Sequence, residues 1–281
     1  MRVCIVYHAY RDEKLLCVRH NKEFFAKCLQ GFTARMPRMP YRDSIQAVNR
    51  SRRQKYSRAE YIIVFISMDY SVMKSNIIVE DWGLIDYADA YERQKKCVQS
   101  VIAGAQDHLV LCEHPAVLTL GRMTNSQSLL YGRKEIEERG VMITSVDRGG
   151  DVTLHAPGQL VVYPVFNLNN HGKNLKAYME KLQEVAIDLL KNFGILAISI
   201  CGQRGAFVGP DKIISIGVGV RKWVTYHGLG INVNTDLSLF NLIKPCGLNV
   251  RMTSMKELKG RAVSMKDVKT KVIELFQKRF P

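Results

Sequence analysis

The sequence predicts an α+β fold, a mixed β-sheet flanked by helices, from residue 73 to the C-terminus. Two observations carry this. Strand-like and helix-like segments interleave without the even spacing of repeated βαβ units, which disfavours a doubly wound parallel sheet. Both periods are also present in strong form. Residues 160–166 are apolar on both faces, as in a buried strand, while 175–193 repeat their apolar residues at helical spacing.

Taken in order, residues 77–84 read as a strand. Asp86 is placed to cap a helix whose apolar face holds Tyr87, Tyr91, Val98, Val101 and Ile102, with Gly104 as its stop. Residues 109–112 and 116–120 are short strands either side of the turn Glu113-His114-Pro115. A charged helix over 132–139 ends at Gly140, and two strands between 148 and 168 are broken by Ala156-Pro157-Gly158. The helix 175–193 gathers Tyr178, Leu182, Val185, Leu189 and Phe193 on one side and stops at Gly194. Phe207-Val208 and 213–220 flank Gly209-Pro210-Asp211, which predicts a hairpin. Ser264-Met265-Lys266-Asp267 resembles a capping box and opens a last helix with Val268, Val272, Leu275 and Phe276 facing inward.

Residues 1–72 show no sustained periodicity, and 35–58 are basic and contain Pro37 and Pro40, so irregular or loosely packed structure is expected there. Met73 stands where clear patterning begins. The expected organisation is a basic N-terminal extension over 1–72, poorly ordered or a misassigned start, and a single folded domain over 73–281.

Charge and cysteine usage narrow the function classes. Seven cysteines at scattered positions form no CxxC and no Cys/His ligand spacing, which argues against a disulfide framework or zinc site and for a reducing compartment. The longest apolar run, near 61–68, is too short to span a bilayer, and the N-terminus lacks the order of a secretory signal, so a cytoplasmic protein is expected. The formal charge is +15, with 14 Lys and Arg against 6 Asp and Glu in residues 1–72 and 27 against 20 in the rest. Such a balance suits an acidic partner: nucleic acid, an anionic membrane or an acidic carrier protein.

Four groups of residues carry possible chemistry. Cys246, in Lys-Pro-Cys-Gly-Leu, is set in a tight turn by Pro245 and Gly247, where a thiol can react; an incidental thiol is the plain alternative. Lys212 opens a strand after Gly-Pro-Asp, and an ammonium beside a thiol favours the thiolate, although sequence alone does not make the two neighbours. On that strand Ser215, Gly217 and Gly219 share a nearly bare face, open to a ligand or to another backbone. Arg148, Gly149, Gly150, Asp151, Val152, Thr153, Leu154 and His155 couple a glycine pair to polar groups without being a P-loop, a place where backbone N–H groups can hold an oxygen. His155 and His227 have polar, glycine-rich neighbours and can act as bases or as donors that shape a site. No metal is expected.

Three ordered segments, RGGDVTLHAPGQLVVYPVFNL (148–168), GAFVGPDKIISIGVGVRKWVTYHGLGINVNTDL (205–237) and PCGL (245–248), resemble the lipoyl(octanoyl) transferases, and DWGLIDYADAYERQ resembles that family's opening. The resemblance covers about residues 78–281. It implies a fold related to the lipoate and biotin protein ligases, and transfer of an octanoyl or lipoyl group from acyl carrier protein to a lysine of a lipoyl domain. It also implies Cys246 as thioester nucleophile and Lys212 as the group that lowers its pKa. The family's acyl-pocket segments fall on Arg148 to His155, on Ser215-Ile216-Gly217 and on Gly228-Leu229-Gly230, with the acyl tail along the Gly217 and Gly219 face. Asp151, Leu154 and Ala156 stand where the family has Gln, an aromatic and Gly.

The implied partners are octanoyl-acyl carrier protein, the lipoyl domains of 2-oxoacid dehydrogenase complexes and the glycine cleavage H protein. Neither nucleic acid nor membrane is expected, and no cofactor beyond the phosphopantetheine that delivers the acyl group. An ATP-dependent lipoate- or biotin-type ligase is the alternative, in which Cys246 would be incidental.

Overall fold

The computed structural model describes residues 3–10, 13–19, 61–66, 77–125, 128–243 and 250–281. The chain divides into two units, Met1–Lys74 and Ser75–Pro281. In the first, β1 (Val3–Tyr10), β2 (Glu13–Arg19) and β3 (Tyr61–Ile66) form an antiparallel sheet in the order β2-β1-β3. The apolar run near 61–68 thus supplies a strand. The expected irregular stretch at 35–58 and the start at Met73 lie outside the described residues.

The second unit is built on six strands: β4 (Ile77–Leu84), β5 (Asp107–Glu113), β9 (Gln159–Val165), β10 (Gly205–Val208), β11 (Asp211–Arg221) and β12 (Val224–Asn232). Their order is β10-β11-β12-β9-β5-β4, with β4 parallel to β5 and the other neighbours antiparallel. A smaller sheet has β6 (Val117–Leu120) between β7 (Met142–Ser145), parallel, and β8 (Val152–His155), antiparallel. The mixed sheets expected from the interleaved pattern are present.

Burial follows from strand alternation. Every residue of β9 is buried, and successive side chains go to opposite layers. Leu160, Val162 and Phe166 join the large core made with α3 (Leu175–Asn192) and α5 (Met265–Arg279). Val165 meets α1 (Tyr87–Ile102) through Val98 and Val101. Phe166, Phe276 and Phe280 close the core with ring centroids 5.0 to 6.0 Å apart. Ser264 caps α5 by accepting from Asp267 N at 3.3 Å, as the capping-box pattern predicts, and Val268, Val272, Leu275 and Phe276 are buried. Asp86 stands at the start of α1 but makes no side-chain cap.

Besides β1, β2 and β7, the β11–β12 hairpin and a short helix escape sequence patterning. The β11–β12 hairpin turns on Lys222 and Trp223, at φ of 49° and 65°, between the paired Arg221 and Val224. A two-residue turn with both φ positive matches strand twist but normally uses Asn or Gly. The segment after residue 250 was expected to begin its helices at Ser264; α4 (Met255–Lys259) precedes it, capped by Ser254.

Candidate active site

A cavity of about 460 Å³ opens where β8, β9, β11 and β12 face one another. Its wall collects Arg148 to Thr153 and His155, Ser215 to Val218, and His227 to Gly230, together with Lys212, Tyr87, Tyr163 and Met179; Met123, Val161 and Gly202 to Arg204 complete it. Three stretches far apart in the sequence therefore meet around one space. Leu154 does not line it. Strand alternation turns it away, fully buried against Leu118 and Ile136 in the core of the smaller sheet.

Glycines make the wall thin where backbone must come close. A Cβ on Gly217 would lie 3.1 Å from Gly149 O, and Gly149 N donates to Val218 O at 2.9 Å, so the bare face of β11 receives the 148–150 turn. Gly219 corrects the expectation for the acyl tail. A Cβ there would lie 2.4 to 2.8 Å from the ring of Tyr226, its cross-strand partner, so an aromatic side chain fills that position. On β12, a Cβ at Gly228 would fall 2.2 Å from Val162 O, which accounts for the small residue.

Arg148 and His227 are buried around this wall, while Asp147 is half-exposed. The Arg148 guanidinium donates through Nη2 to Thr119 O at 2.8 Å and through Nη1 to Gly149 O at 3.2 Å. Asp147, just before it, accepts from His227 Nε2 at 3.0 Å, Tyr226 Oη at 2.7 Å and Tyr91 Oη at 2.8 Å. Its carboxyl is held well below the usual carboxylate range by the His227 hydrogen bond and, after the opposing effect of burial, by the two tyrosines. His227 is lowered by burial, against the pull of Asp147, and sits at φ 56°, a costly conformation for a residue with a Cβ. Its ring stacks on Tyr91 at 5.5 Å. Asp151 Oδ1 accepts from Ser128 Oγ and Val152 N, both at 2.7 Å.

Lys212 is only 4% exposed. Its backbone pairs with a later segment, Lys212 N donating to Arg251 O and Thr253 N donating to Lys212 O, both at 2.9 Å. Its Nζ lies 5.5 Å from the Phe207 ring centroid. Gly205, at φ 135°, clears its path: a Cβ there would meet Ile214 O at 2.1 Å and Lys212 Cε at 2.9 Å. Cys246 falls in 244–249, outside the described residues. Both flanks of that segment are anchored, Ile243 by a bridge to Leu129 and Arg251 by Lys212. Cys246 precedes Arg251 by five residues, a chain reach of at most about 18 Å.

His155 is buried, and burial foremost, followed by the neighbouring His114 charge, drives its pKa down to about 3. An unfolded histidine titrates near 6.5, so this group favours the folded state above about pH 6.5, and that contribution fades as pH falls toward 3. Urea unfolding is expected to show the wild type losing more stability between about pH 7.5 and pH 5 than His155→Gln does, by up to about 2 kcal/mol. Equal losses would mean that the folded protein protonates His155 freely.

Sequence reasoning missed Tyr87, Asp147, Gln159 and Tyr163. Gln159 directly follows the Ala-Pro-Gly turn and was legible as part of that motif; the other three come to the site only through packing. Among the described residues, Glu80, Cys97 and His108 bring one possible metal ligand each within 4.8 Å of one another. None lines the cavity, Glu80 is hydrogen-bonded to Trp82 and His108, and burial pushes the Cys97 thiol up to about 11. No helix among the described residues is long and apolar enough to cross a membrane.

Residues 86–277 match the model of the lipoyl protein ligase A/B catalytic domain. An octanoyltransferase of Syntrophotalea carbinolica is 41% identical over 201 residues, which are 71% of this chain and 92% of that protein. Among solved structures, P. falciparum LipL1 in complex with lipoate superposes with a TM-score of 0.59 at 17% identity, over 73% of this chain and 62% of that one. A bipartite lipoate protein ligase from Thermoplasma acidophilum, described with its E2 lipoyl domain, gives 0.55 at 16% identity, over 72% and 82%. The two structures share the fold.

Proposed function

This chain belongs to the lipoyl protein ligase A/B catalytic-domain family and is an octanoyl-transferring acyltransferase of protein lipoylation, and from that premise we propose that it works by a two-step exchange through Cys246. The observation that carries the proposal is the position of Lys212. It is buried in the cavity wall and its backbone is tied to the segment that follows Cys246.

In the first step the Cys246 thiolate attacks the thioester of octanoyl-acyl carrier protein. A new C–S bond forms, the old one breaks, and the phosphopantetheine sulfur leaves with the proton of the Lys212 ammonium, which becomes a neutral amine. In the second, the amine of a lipoyl-domain lysine attacks the enzyme thioester, a C–N bond forms, and the Cys246 sulfur departs. The proton lost by nitrogen passes to that sulfur by way of Lys212. A thioester already carries the activation, so the reaction needs neither ATP nor a resident cofactor.

Lys212 holds the resting thiolate by charge. Gly149 N is committed to Val218 O, which leaves the N–H of Gly150 as the donor in that turn for the tetrahedral oxyanion. The octanoyl chain lies beside Ile216 and Leu229, where the wall is apolar. The lipoyl domains of 2-oxoacid dehydrogenases and the glycine cleavage H protein are acceptors in the cytoplasm. The net charge of +15 draws in acidic carrier domains, mainly through the association rate and in a salt-sensitive way.

The test is transfer to a lipoyl domain followed by intact mass. With octanoyl-acyl carrier protein and no ATP, the domain is expected to gain one octanoyl group. Free octanoate with magnesium and ATP is expected to give none; the reverse result would assign the ATP-dependent ligase activity instead.

A further inference from the structure

His155 borders the cavity, and its Nδ1 lies 2.7 Å from Gln159 Oε1. Which ring nitrogen carries the hydrogen follows from a chain of amides that starts at a backbone carbonyl. Thr253 O can only accept. Asn232 Nδ2 donates to it at 3.0 Å, so Asn232 Oδ1 is the end that accepts from Gln159 Nε2 at 2.8 Å. Gln159 Nε2 also donates to Leu154 O at 3.1 Å, a second group that can only accept. Gln159 therefore presents its oxygen to His155, Nδ1 bears the hydrogen, and Nε2 of the neutral ring keeps a lone pair.

This polarity is strongly fixed. Gln159, Asn232 and Thr253 are at most 3% exposed, and flipping either amide would set like ends against each other away from water. Gly230 makes the space, since a Cβ there would come within 3.1 Å of Gln159 Oε1 and 3.6 Å of His155 Cε1. None of the described residues donates a hydrogen bond to His155 Nε2. The relay also ends at Thr253, whose N–H bonds Lys212 O, so one buried chain joins the His155 wall to the lysine.

We infer that His155 orients the attacking lysine amine in the second step, its Nε2 accepting a hydrogen bond from the amine while the Gln159, Asn232 and Thr253 relay holds it as an acceptor. The inference rests on the acyl-transfer function proposed above. A neutral amine has two N–H groups and one lone pair. With one N–H on His155, the amine is held in place and its lone pair stays free to attack the thioester carbon. The C–N bond then forms and the C–S bond breaks, with the proton going to sulfur as before. His155 takes no proton itself. Attack by a thiolate brings no N–H to this position, so the first step gains nothing from the contact.

The experiment uses the full chain with imidazole nitrogens labelled, plus single-turnover measurement of each step. The His155 signal, assigned by its loss in His155→Gln, is expected at the shifts of a neutral ring protonated on Nδ1. His155→Phe, which keeps a ring and loses the acceptor, is expected to slow transfer from loaded enzyme to a lipoyl domain about a hundredfold, and at least about tenfold more than it slows loading. His155→Gln, which restores an acceptor, is expected to recover much of the transfer rate. A ring protonated on Nε2 or on both nitrogens near neutral pH would overturn the inference. So would equal slowing of both steps by the Phe variant, or no recovery with Gln. Failure of the wild type to load at all would strike the acyl-transfer function itself, and this inference with it.

Discussion

Cys246→Ala is expected to abolish the octanoyl adduct and to lower transfer from acyl carrier protein by at least ~10⁴-fold. The size of the effect follows from the chemistry. Without a covalent intermediate the donor thioester and the acceptor lysine would have to meet in one cavity, each still attached to its own carrier domain. What remains is the contribution of binding and of oxyanion donors to a direct reaction, which in acyl transfer is small beside the full machinery. The other described thiols around the sheet are poor substitutes. Cys112 is fully buried and burial pushes its thiol far up, burial likewise raises Cys97 to about 11, and neither lines the cavity. Cys201 is exposed beside the rim residue Gly202, so Cys201→Ala serves as the matched control and is expected to load normally. Loading is read by intact mass with and without hydroxylamine, which cleaves a thioester. A hydroxylamine-labile adduct that persists in Cys246→Ala would remove Cys246 from the mechanism.

Much of this site was legible in the sequence because its residues travel in runs. Arg148 to His155 and Gly228 to Gly230 are contiguous, and a strand that brings one member to a cavity brings its alternate neighbours too. The same alternation explains Leu154, which sits in the run but is turned into the core. Gly219 shows the complementary limit. Its bareness was visible, but what fills a bare position depends on the strand across from it, and Tyr226 could be placed there only once β12 was known. That strand was hard to see because its turn, Lys222-Trp223, carries none of the usual hairpin residues. Asp147 and Tyr87 were beyond reach for another reason: neither has a motif of its own, Asp147 being held by Tyr91 of α1 and by Tyr226 and His227 of β12, and Tyr87 reaching the site by packing its ring near His114 and His155.

Lys212→Met is the substitution that best separates function from fold. Lys212 is 4% exposed, and its backbone bonds to Arg251 and Thr253 do not depend on its side chain. Met has a similar length and fits the passage that Gly205 leaves open, so the variant is expected to keep the fold. Activity is expected to suffer far more than stability, with the loading rate near neutral pH falling about a hundredfold. The cause is the loss of a positive charge that favours the thiolate, and this gives the defect a signature. An ordinary cysteine ionises near 8.5, so the variant should regain much of its loading rate as pH rises past that value, and the wild type should gain far less over the same range. The measurement is the loading rate across pH alongside urea unfolding of both proteins. Normal loading near pH 7 by a stable Lys212→Met would exclude Lys212 from thiolate formation. A stable variant that is slow at neutral pH and rescued in alkali would tie the buried lysine to the ionisation of Cys246.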